Sequence, residues 1–550
     1  MFPPPALTRS PLIDVTSEST NPRSWRFAVG VLFLFVFAVA IVARLPTCHE
    51  SFWLDELHSA WSVWGSLGEV MPRSAAGNQT PTYFWAMWLW KQMFGGSELS
   101  LRMPGVIATA LAAAIVAVGI IRNHGSVLAG MVAGLMLALD SNAIFYGTEF
   151  RPFAMVVLLG AVGCYVVSHR QWHDDRKLMG LVIVALAGGL IQPTSLGAFG
   201  WLIIAHVAIV KVRGSRQTES TPPHIIRSPK VLLLLIVSAA IFLWLAGDVL
   251  CHAWQHRRQW QGMGSVDSFA QLWRAWPWLP LAIIPASVAI VAASYSRGGG
   301  SRDGDELAQE RSHLNNQAFP WWFFFLVAGL ATASFWAAAM LGIAPIFHRR
   351  YFVACLPILV WGTGAALATA LKSLEEKSPV GQRGLKWAVS LLAIVPLGLL
   401  VTQQGTLDRA LQGKLPLVRR GEHWRELVRY LEDAVPKTTV IHLEPGLIES
   451  SRLLREEKKV TQPGDASEAQ WYLTNPLRGP YAWPHVVAFY AGNVEKSVDF
   501  PIVYRGSRSA AQSWLRAQAG RLDTDQVEIR SFGNVQWLEK ASQRLPKSQY

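Results

Sequence analysis

The chain has 550 residues, of which 51% are hydrophobic and only 16% are charged. Soluble proteins carry about 25% charged residues, so this composition excludes an ordinary soluble enzyme and indicates a polytopic α-helical membrane protein. The formal net charge of +13 does not predict a nucleic-acid partner. The Lys and Arg residues are dispersed in short loops between apolar runs, where such charges orient a membrane protein.

A polar N-terminal tail, residues 1–26, precedes the first apolar run, which is typical of a retained signal-anchor helix. About eleven runs approach the length of about 17–25 residues that crosses a bilayer. The predicted spans are 27–43, 103–121, 126–142, 152–168, 178–191, 194–210, 231–249, 276–294, 320–343, 352–371 and 387–402.

The run 81–94 is apolar and aromatic but only about 14 residues long, which is typical of an interfacial or re-entrant helix. If it does not cross the membrane, most loop Lys and Arg residues collect on one side, and if it crosses, this bias is lost. The positive-inside rule therefore predicts a cytoplasmic N-terminus, with 81–94 outside.

The same topology gathers the unusual polar residues of five loops on the exoplasmic side. They are Asp55, Glu56 and His58; Asp140, Tyr146, Glu149 and Arg151; Gln192; His252, His256, Arg257 and Arg258; and His348, Arg349, Arg350 and Tyr351.

After residue 402 the composition becomes polar and no further span is predicted. Helical periodicity over 422–434 and β-branched runs at 438–442 and 486–490 predict a small α/β domain over 403–550. An odd number of spans puts this domain outside, and the cytoplasmic loops 211–230 and 295–318 are predicted to be flexible linkers. The spacing of the four cysteines does not predict a disulfide framework, although a single disulfide between Cys48 and Cys251 is an alternative that the sequence leaves undecided.

The pair Asp55-Glu56 follows the first span directly. Carboxylates at a membrane surface are costly unless they bind, pair or react. A carboxylate beside an acceptor hydroxyl can take its proton, and Asp55 is the candidate; the alternative is a cap on a helix starting near Leu57. Glu56 could orient an acceptor, bind a metal ion or be solvated. With His58 it supplies only two ligands, so no divalent metal is supported by a clear ligand set and the cofactor is unknown.

Arginine suits a lipid phosphate because its guanidinium stays charged and donates paired hydrogen bonds. Arg349 and Arg350, just before a span that begins near Tyr351, fit such a clamp; the alternative is snorkelling to lipid headgroups. Glu149 and Arg151 could form a structural ion pair or contact a donor.

The loop that contains His252, His256, Arg257 and Arg258 also contains Trp254 and Trp260. Aromatic and polar side chains together can hold a sugar or a lipid head, but an interfacial tryptophan belt predicts the same composition.

Five motifs occur in an order and spacing that resemble the GT-C superfamily of membrane glycosyltransferases, in particular its protein-mannosyltransferase and aminoarabinose-transferase branch (glycosyltransferase 39/83-like). The resemblance covers most of residues 27–402, and beyond them only Glu422-His423-Trp424-Arg425. The motifs are Trp53-Leu54-Asp55-Glu56; Asn78-Gln79-Thr80-Pro81-Thr82-Tyr83-Phe84-Trp85; Phe94-Gly95-Gly96-Ser97-Glu98 with Leu101-Arg102-Met103-Pro104-Gly105; Tyr146-Gly147-Thr148-Glu149-Phe150-Arg151-Pro152-Phe153; and Arg349-Arg350-Tyr351-Phe352 leading into Leu356-Pro357.

The resemblance implies a GT-C-like transmembrane domain over 27–402, with an exoplasmic loop 44–102, and a C-terminal exoplasmic domain. It implies a hexosyl- or pentosyltransferase that moves a sugar from a polyprenyl-phosphate donor to a protein, lipid or glycan acceptor outside the cytoplasmic (inner) membrane. The implied residues are Asp55 and Glu56 for catalysis; Arg349, Arg350 and Tyr351 for the donor phosphate; and His58, Tyr83, Glu149, Arg151, His256 and Arg257 for other substrate contacts.

The chain departs from the family pattern at Thr82, which replaces the second proline of a Pro-Pro element, and at Gln79-Thr80, which replaces a preceding His or Lys. Where that position contacts phosphate or metal in relatives, this chain lacks the group, so donor contacts and metal dependence are expected to differ. The rival hypothesis is a transporter or flippase of lipid-linked sugars, which predicts ionisable residues in mid-span. The spans are nearly free of such residues, so the sequence favours an enzyme.

Overall fold

The computed structural model describes residues 22–216, 229–255, 257, 264–297, 319–375, 383–444, 479–483, 485–489, 500–519, 524 and 526–541. These residues form a bundle of apolar helices followed by a small domain that contains a five-stranded sheet. The predicted fold class, a polytopic helical membrane protein with a C-terminal α/β domain, is confirmed.

Each predicted span overlaps a helix. Among the described residues, six helices are long and apolar enough to cross a membrane, or seven if the bent pair α6 and α7 forms one span, so the number eleven stays a prediction. The helices of this part are α1 (Pro22–Arg44), α2 (Leu54–Ser62), α3 (Leu67–Ala76), α4 (Pro81–Phe94), α5 (Glu98–His124), α6 (Val127–Leu139), α7 (Ser141–Gly147), α8 (Phe153–Ser168), α9 (Asp174–Ile191), α10 (Leu196–Arg216), α11 (Pro229–Gln255), α12 (Phe269–Arg274), α13 (Ile284–Arg297), α14 (Trp321–Met340), α15 (Cys355–Glu375), α16 (Arg383–Gln403) and α17 (Thr406–Leu411).

Small residues let the central helices α5 and α15 approach each other and their neighbours closely. Along α5 the alanines Ala112, Ala113 and Ala117 are fully buried, as is common where membrane helices pack through backbone contact. Gly119 receives the ring of Trp361 from α15: a Cβ atom at Gly119 would lie 2.1 Å from the indole Cη2. The fit of these two residues sets how near the two helices lie.

The turn between α6 and α7 is organised by Asp140. Its Oδ1 accepts hydrogen bonds from the backbone N–H groups of Asn142 and Ala143, both at 2.9 Å, so the carboxylate caps α7 where the chain bends by 57°. This N-cap satisfies amides that the first turn of a helix leaves free. The residue Asp140 thus ends one helix and starts the next.

The short helices α2, α3 and α4 fill the chain between α1 and α5. The run 81–94 is a helix of 14 residues, with Pro81 at its first position, where the missing N–H costs nothing, and Gly95 at φ 81° behind its last residue. Its placement outside the membrane stays a prediction. Tyr83, Phe84 and Met87 join one buried cluster with residues of the C-terminal domain, so these helices and that domain share a core.

The C-terminal domain consists of α18 (Trp424–Ala434), β1 (Val440–Glu444), β2 (Val486–Phe489), β3 (Ile502–Arg505), α19 (Arg508–Gln518), β4 (Val527–Phe532) and β5 (Val535–Lys540). The strand order is β2-β1-β3-β5-β4, with β1 parallel to β2 and β3, and β5 antiparallel to β3 and β4. The predicted helix and two strands match α18, β1 and β2 within two residues. All four cysteines are free; Cys48 is buried and Cys251 is exposed.

Candidate active site

The first turn of α2 carries both carboxylates of the acidic pair. Trp53 is extended (φ −89°, ψ 172°) and precedes the helix, and the Oε2 atom of Glu56 accepts a hydrogen bond from the Trp53 N–H at 3.3 Å. Acidic side chains in a first turn also interact favourably with the positive end of the helix dipole. The local sequence therefore starts the helix here and fixes Asp55 at its tip.

Asp55 is the centre of an ion-pair cluster built from three segments. Its Oδ2 accepts a hydrogen bond from Arg350 Nη1 at 3.1 Å and lies 3.9 Å from Arg151 Nη2. Arg151 comes from the turn between α7 and α8, and Arg350 from the segment before α15. The side chain of Asp55 is 24% exposed, so its carboxylate is paired yet open to a ligand.

The charge of Asp55 is set by its neighbours. Burial alone would raise the pKa of this carboxyl, but the positive charges of Arg151, Arg350 and Arg505 outweigh burial and hold the pKa below its usual value. Asp55 is thus a carboxylate at neutral pH. It can accept a proton or a hydrogen bond from a ligand.

Glu56, one residue on, is fully buried. Its Oε1 accepts hydrogen bonds from Arg102 Nε at 2.8 Å and from the Phe150 N–H at 2.7 Å, while its Oε2 lies 3.7 Å from Arg420 Nε. Burial would raise the pKa of this carboxyl, and Arg102 and Arg420 lower it further than burial raises it. Glu56 is therefore not solvated, and that alternative is wrong, whereas its catalytic role stays a prediction. The contacts of Glu56 join α2, α5 and the C-terminal domain.

Two arginines of this cluster were not assigned a role from sequence. Arg102 is fully buried at the start of α5 and also donates from Nη1 to the Cys48 carbonyl at 3.1 Å and from Nη2 to the Ser51 carbonyl at 3.1 Å. Arg420 donates from Nη2 to the Phe145 carbonyl at 3.0 Å. The sequence signals for Arg102 were its place in the motif Leu101-Arg102-Met103-Pro104-Gly105 and its position as a lone arginine at the start of an apolar run, since a buried charge requires a partner.

Glu149 does not form the structural ion pair that the sequence allowed with Arg151. Arg151 instead pairs with Asp55 and approaches Ser59 Oγ at 3.4 Å. Glu149 is buried, no hydrogen bond reaches its Oε2 within the described part of the chain, and burial raises its pKa to about 8 against the lowering effect of Arg420 and Arg151. Glu149 is therefore mostly protonated at neutral pH.

The side chains of the adjacent residues Arg349 and Arg350 contact different parts of the protein. Arg349 donates to the carbonyls of Ala275 (3.0 Å) and Arg274 (3.3 Å) and to Asn142 Oδ1 (2.7 Å). Arg350 reaches Asp55, with its guanidinium 5.0 Å from the Tyr351 ring centre. The side chain of Arg350 is 14% exposed and paired within the protein, so snorkelling to headgroups is wrong for it.

A cavity of about 450 Å³ lies beside Arg349. Polar groups of three segments face it, together with Phe347 and Phe352. The polar and charged lining residues are Asn142, Tyr146, Ser265, Gln271, Arg274, His348 and Arg349. The predicted phosphate clamp is thus split: one arginine lines the cavity and the other is held at Asp55.

The other residues predicted from the sequence to contact the substrate are His58, Tyr83, His256 and Arg257. His58 is buried against Gly77 and Trp61, and burial, with the charge of Arg151, lowers its pKa to about 3. Tyr83 is buried with its ring centre 6.3 Å from that of Phe150.

Arg257 donates to the Ile343 and Trp254 carbonyls and stacks on the Trp254 ring, without a contact to Asp55. His256 and Arg258 lie outside the described residues. Within the described ranges, no group of three or more His, Cys, Asp or Glu side chains could hold a metal ion.

In its fold, this helical bundle with a small α/β domain at its end is similar to solved structures of GT-C membrane glycosyltransferases. No family model and no curated protein matches the chain. Among solved structures, apo ArnT from Cupriavidus metallidurans, an aminoarabinose transferase, aligns at 12% identity over 96% of this chain and 100% of that chain, with a TM-score of 0.50. At this identity the alignment shows the fold alone.

Two further solved structures align over nearly the whole chain. ArnT from Cupriavidus metallidurans bound to undecaprenyl phosphate is 13% identical over 95% of this chain and 99% of that chain, with a TM-score of 0.48. The oligosaccharyltransferase AglB from Archaeoglobus fulgidus, in complex with an inhibitory peptide and a dolichol-phosphate, is 11% identical over 96% of this chain and 76% of that chain, with a TM-score of 0.42.

Proposed function

We propose that the protein is an integral-membrane glycosyltransferase that moves a sugar from a polyprenyl-phosphate donor to an acceptor hydroxyl or amine. The reaction takes place on the exoplasmic face of the cytoplasmic (inner) membrane, with the N-terminus in the cytoplasm and residues 403–550 outside. The distribution of Lys and Arg in the loops supports this orientation. The GT-C fold supports the enzyme class, and the transporter alternative receives no support from the structural neighbours.

The observation that carries the proposal is the ionised, partly open carboxylate of Asp55 with Arg350 at 3.1 Å. In the transfer, the acceptor atom forms a bond to the anomeric carbon, and the bond from that carbon to the phosphate oxygen breaks. The electron pair leaves with the polyprenyl phosphate, and the acceptor proton goes to Asp55.

The leaving phosphate needs positive charge nearby, and Arg350 supplies it. Its Nε is buried and makes no hydrogen bond within the described part of the chain. A donor phosphate can accept hydrogen bonds from this guanidinium in place of Asp55, which leaves the Asp55 carboxylate free to accept the proton. Arg349, which lines the cavity, is proposed to contact the same donor. Inversion at the sugar carbon is expected for a single displacement of this kind.

The test is transfer of radiolabelled sugar from a panel of hexosyl and pentosyl polyprenyl phosphates by purified protein in nanodiscs. Wild type is compared with Asp55→Asn, which keeps the shape and removes the charge. Asp408→Asn, on an exposed face of α17, is the matched control. We expect Asp55→Asn to lose turnover by at least about 100-fold while the protein remains folded, and Asp408→Asn to behave as wild type.

Equal turnover in wild type and Asp55→Asn would remove Asp55 from the chemistry. Absence of transfer with every donor, together with movement of lipid-linked sugar across liposome bilayers, would replace the transferase proposal by the transporter.

A further inference from the structure

The segment that enters the C-terminal domain, just before α18, lies against the first turn of α2. Glu422 in this segment is 6% exposed. Its Oε2 accepts hydrogen bonds from the Leu54 N–H at 3.1 Å and from Trp424 Nε1 at 2.8 Å, and its Oε1 accepts one from Arg505 Nε at 2.8 Å. Both carboxylate oxygens are thus engaged, one of them by the residue that precedes Asp55.

The Leu54 N–H is the first amide of α2, and such amides have no partner within their own helix. Trp53, at the N-cap position, offers no oxygen in its side chain. Glu422 therefore acts as a cap supplied from the other domain, and its negative charge lies at the positive end of the helix dipole. A cap at this place fixes the direction in which the first turn, and hence Asp55, points.

Further contacts from the same domain hold the chain on the N-terminal side of α2. The Tyr481 hydroxyl accepts a hydrogen bond from the Phe52 N–H at 2.7 Å, and the Arg425 N–H donates to Ser51 Oγ at 2.8 Å. Arg505, the ion-pair partner of Glu422, also contributes to the charge that keeps Asp55 ionised. The domain therefore forms hydrogen bonds with Ser51, Phe52 and Leu54, the residues that lead into α2.

We infer that Glu422 is a positioning residue, which holds the start of α2 so that the Asp55 carboxylate meets the acceptor in a reactive geometry. The inference rests on the proposed function in that it takes Asp55 as the base. It assigns the C-terminal domain a part in catalysis, because a segment of that domain supplies the cap. Glu422 itself does not contact the reacting atoms.

The first readout is independent of activity: amide hydrogen exchange of peptides that cover residues 51–62, measured by mass spectrometry on the full-length protein in nanodiscs. Wild type is compared with Glu422→Ala and Glu422→Gln, and with Glu432→Ala, a carboxylate on an exposed face of α18, as the matched control. We expect faster exchange in 51–62 for Glu422→Ala, a smaller increase for Glu422→Gln, whose amide oxygen still accepts one N–H, and no change for Glu432→Ala.

The second readout is the division between kcat and KM for the polyprenyl-phosphate sugar. A misplaced base slows the chemical step without weakening donor binding, so kcat should fall by on the order of 100-fold in Glu422→Ala, with the donor KM unchanged. Glu422→Gln should recover part of this loss. If Glu422→Ala does not fold, Glu422→Gln, which has the same volume, decides the question with a smaller expected effect.

Wild-type exchange and wild-type kcat in both Glu422 variants would overturn the inference, as would a loss confined to KM. If wild type transfers sugar from no donor, the proposed function fails. Faster exchange in 51–62 for Glu422→Ala alone would then still support the positioning of α2 by this residue.

Discussion

The helical bundle and the region around α2 are held together by different interactions. The bundle packs through alanine, glycine and large apolar side chains, of which Trp361 against Gly119 is an example. The region around α2 is held by buried charges. Glu56 and Arg102 are fully buried, and Arg102 Nη2 lies 2.5 Å from Glu56 Oε2. Apolar packing tolerates gradual change, whereas a buried charge that loses its partner is strongly destabilising. The difference predicts where substitution is most damaging.

The largest effect should come from Arg102→Ala. It leaves the Glu56 carboxylate buried without its main partner and frees the carbonyls of Cys48 and Ser51, so we expect a loss of about 3–5 kcal/mol in the free energy of unfolding. The measurement is denaturant-induced unfolding in detergent. Arg409→Ala, which removes an exposed arginine of α17, is the control; equal stability of the two variants would contradict the assignment of the ion pair as the organiser of this region.

A second effect concerns Glu149 and depends on pH. Its pKa is raised from 4.5 to about 8 in the folded protein, so between these two values the unfolded chain loses a proton that the folded protein keeps. Stability of wild type therefore falls as pH rises through this window and levels off above about 8. The glutamine of Glu149→Gln does not titrate, so this variant lacks the pH dependence that Glu149 causes.

The free energy of unfolding of Glu149→Gln, relative to that of wild type, should therefore rise by on the order of a few kcal/mol as the pH increases from about 5 to about 8. Thermal unfolding across this range measures the difference. A constant offset between the two proteins at all pH values would show that Glu149 is ionised in the folded state.

The smallest effect should come from the bundle. In Gly119→Ala the new methyl group meets the Trp361 ring at 2.1 Å, and such overpacking costs about 1–3 kcal/mol. Transfer activity per folded molecule should not change, because the contact is remote from Asp55. Gly200→Ala in α10, where a Cβ has nothing within 4 Å, is the matched control; a loss of activity at full stability in Gly119→Ala would break the separation between bundle and site.

The sequence predicted the helices well because an apolar run and a transmembrane helix express the same physical requirement, a length of chain without exposed polar groups. It predicted β1 and β2 but not β3, β4 or β5. The strand β4, Val527–Phe532, alternates apolar and charged residues on an exposed edge, and its pattern resembles that of many polar loops. Its pairing with β5 depends on a turn at Gly533, which has φ 62°.

The candidate site was predicted only in part. Asp55, Arg151 and Arg350 were selected and the structure brings them together, but the sequence grouped Arg349 with Arg350. Adjacent residues in a helical turn do not face the same way, so neighbours in sequence were separated in space. Arg420 had no local signal at all: its partner Glu56 lies hundreds of residues earlier, and the pairing exists only after both domains have folded.

The hydrogen bond between Glu422 and the Leu54 amide spans 368 positions of the chain, which has a consequence for biosynthesis. A ribosome makes about 5–20 residues per second, so α2 leaves the ribosome on the order of tens of seconds before its cap is translated. Throughout this interval the nascent chain contains Asp55 but not the group that fixes its helix. Until Glu422 has been synthesised, the first turn of α2 therefore lacks the cap by which we propose that Asp55 is positioned.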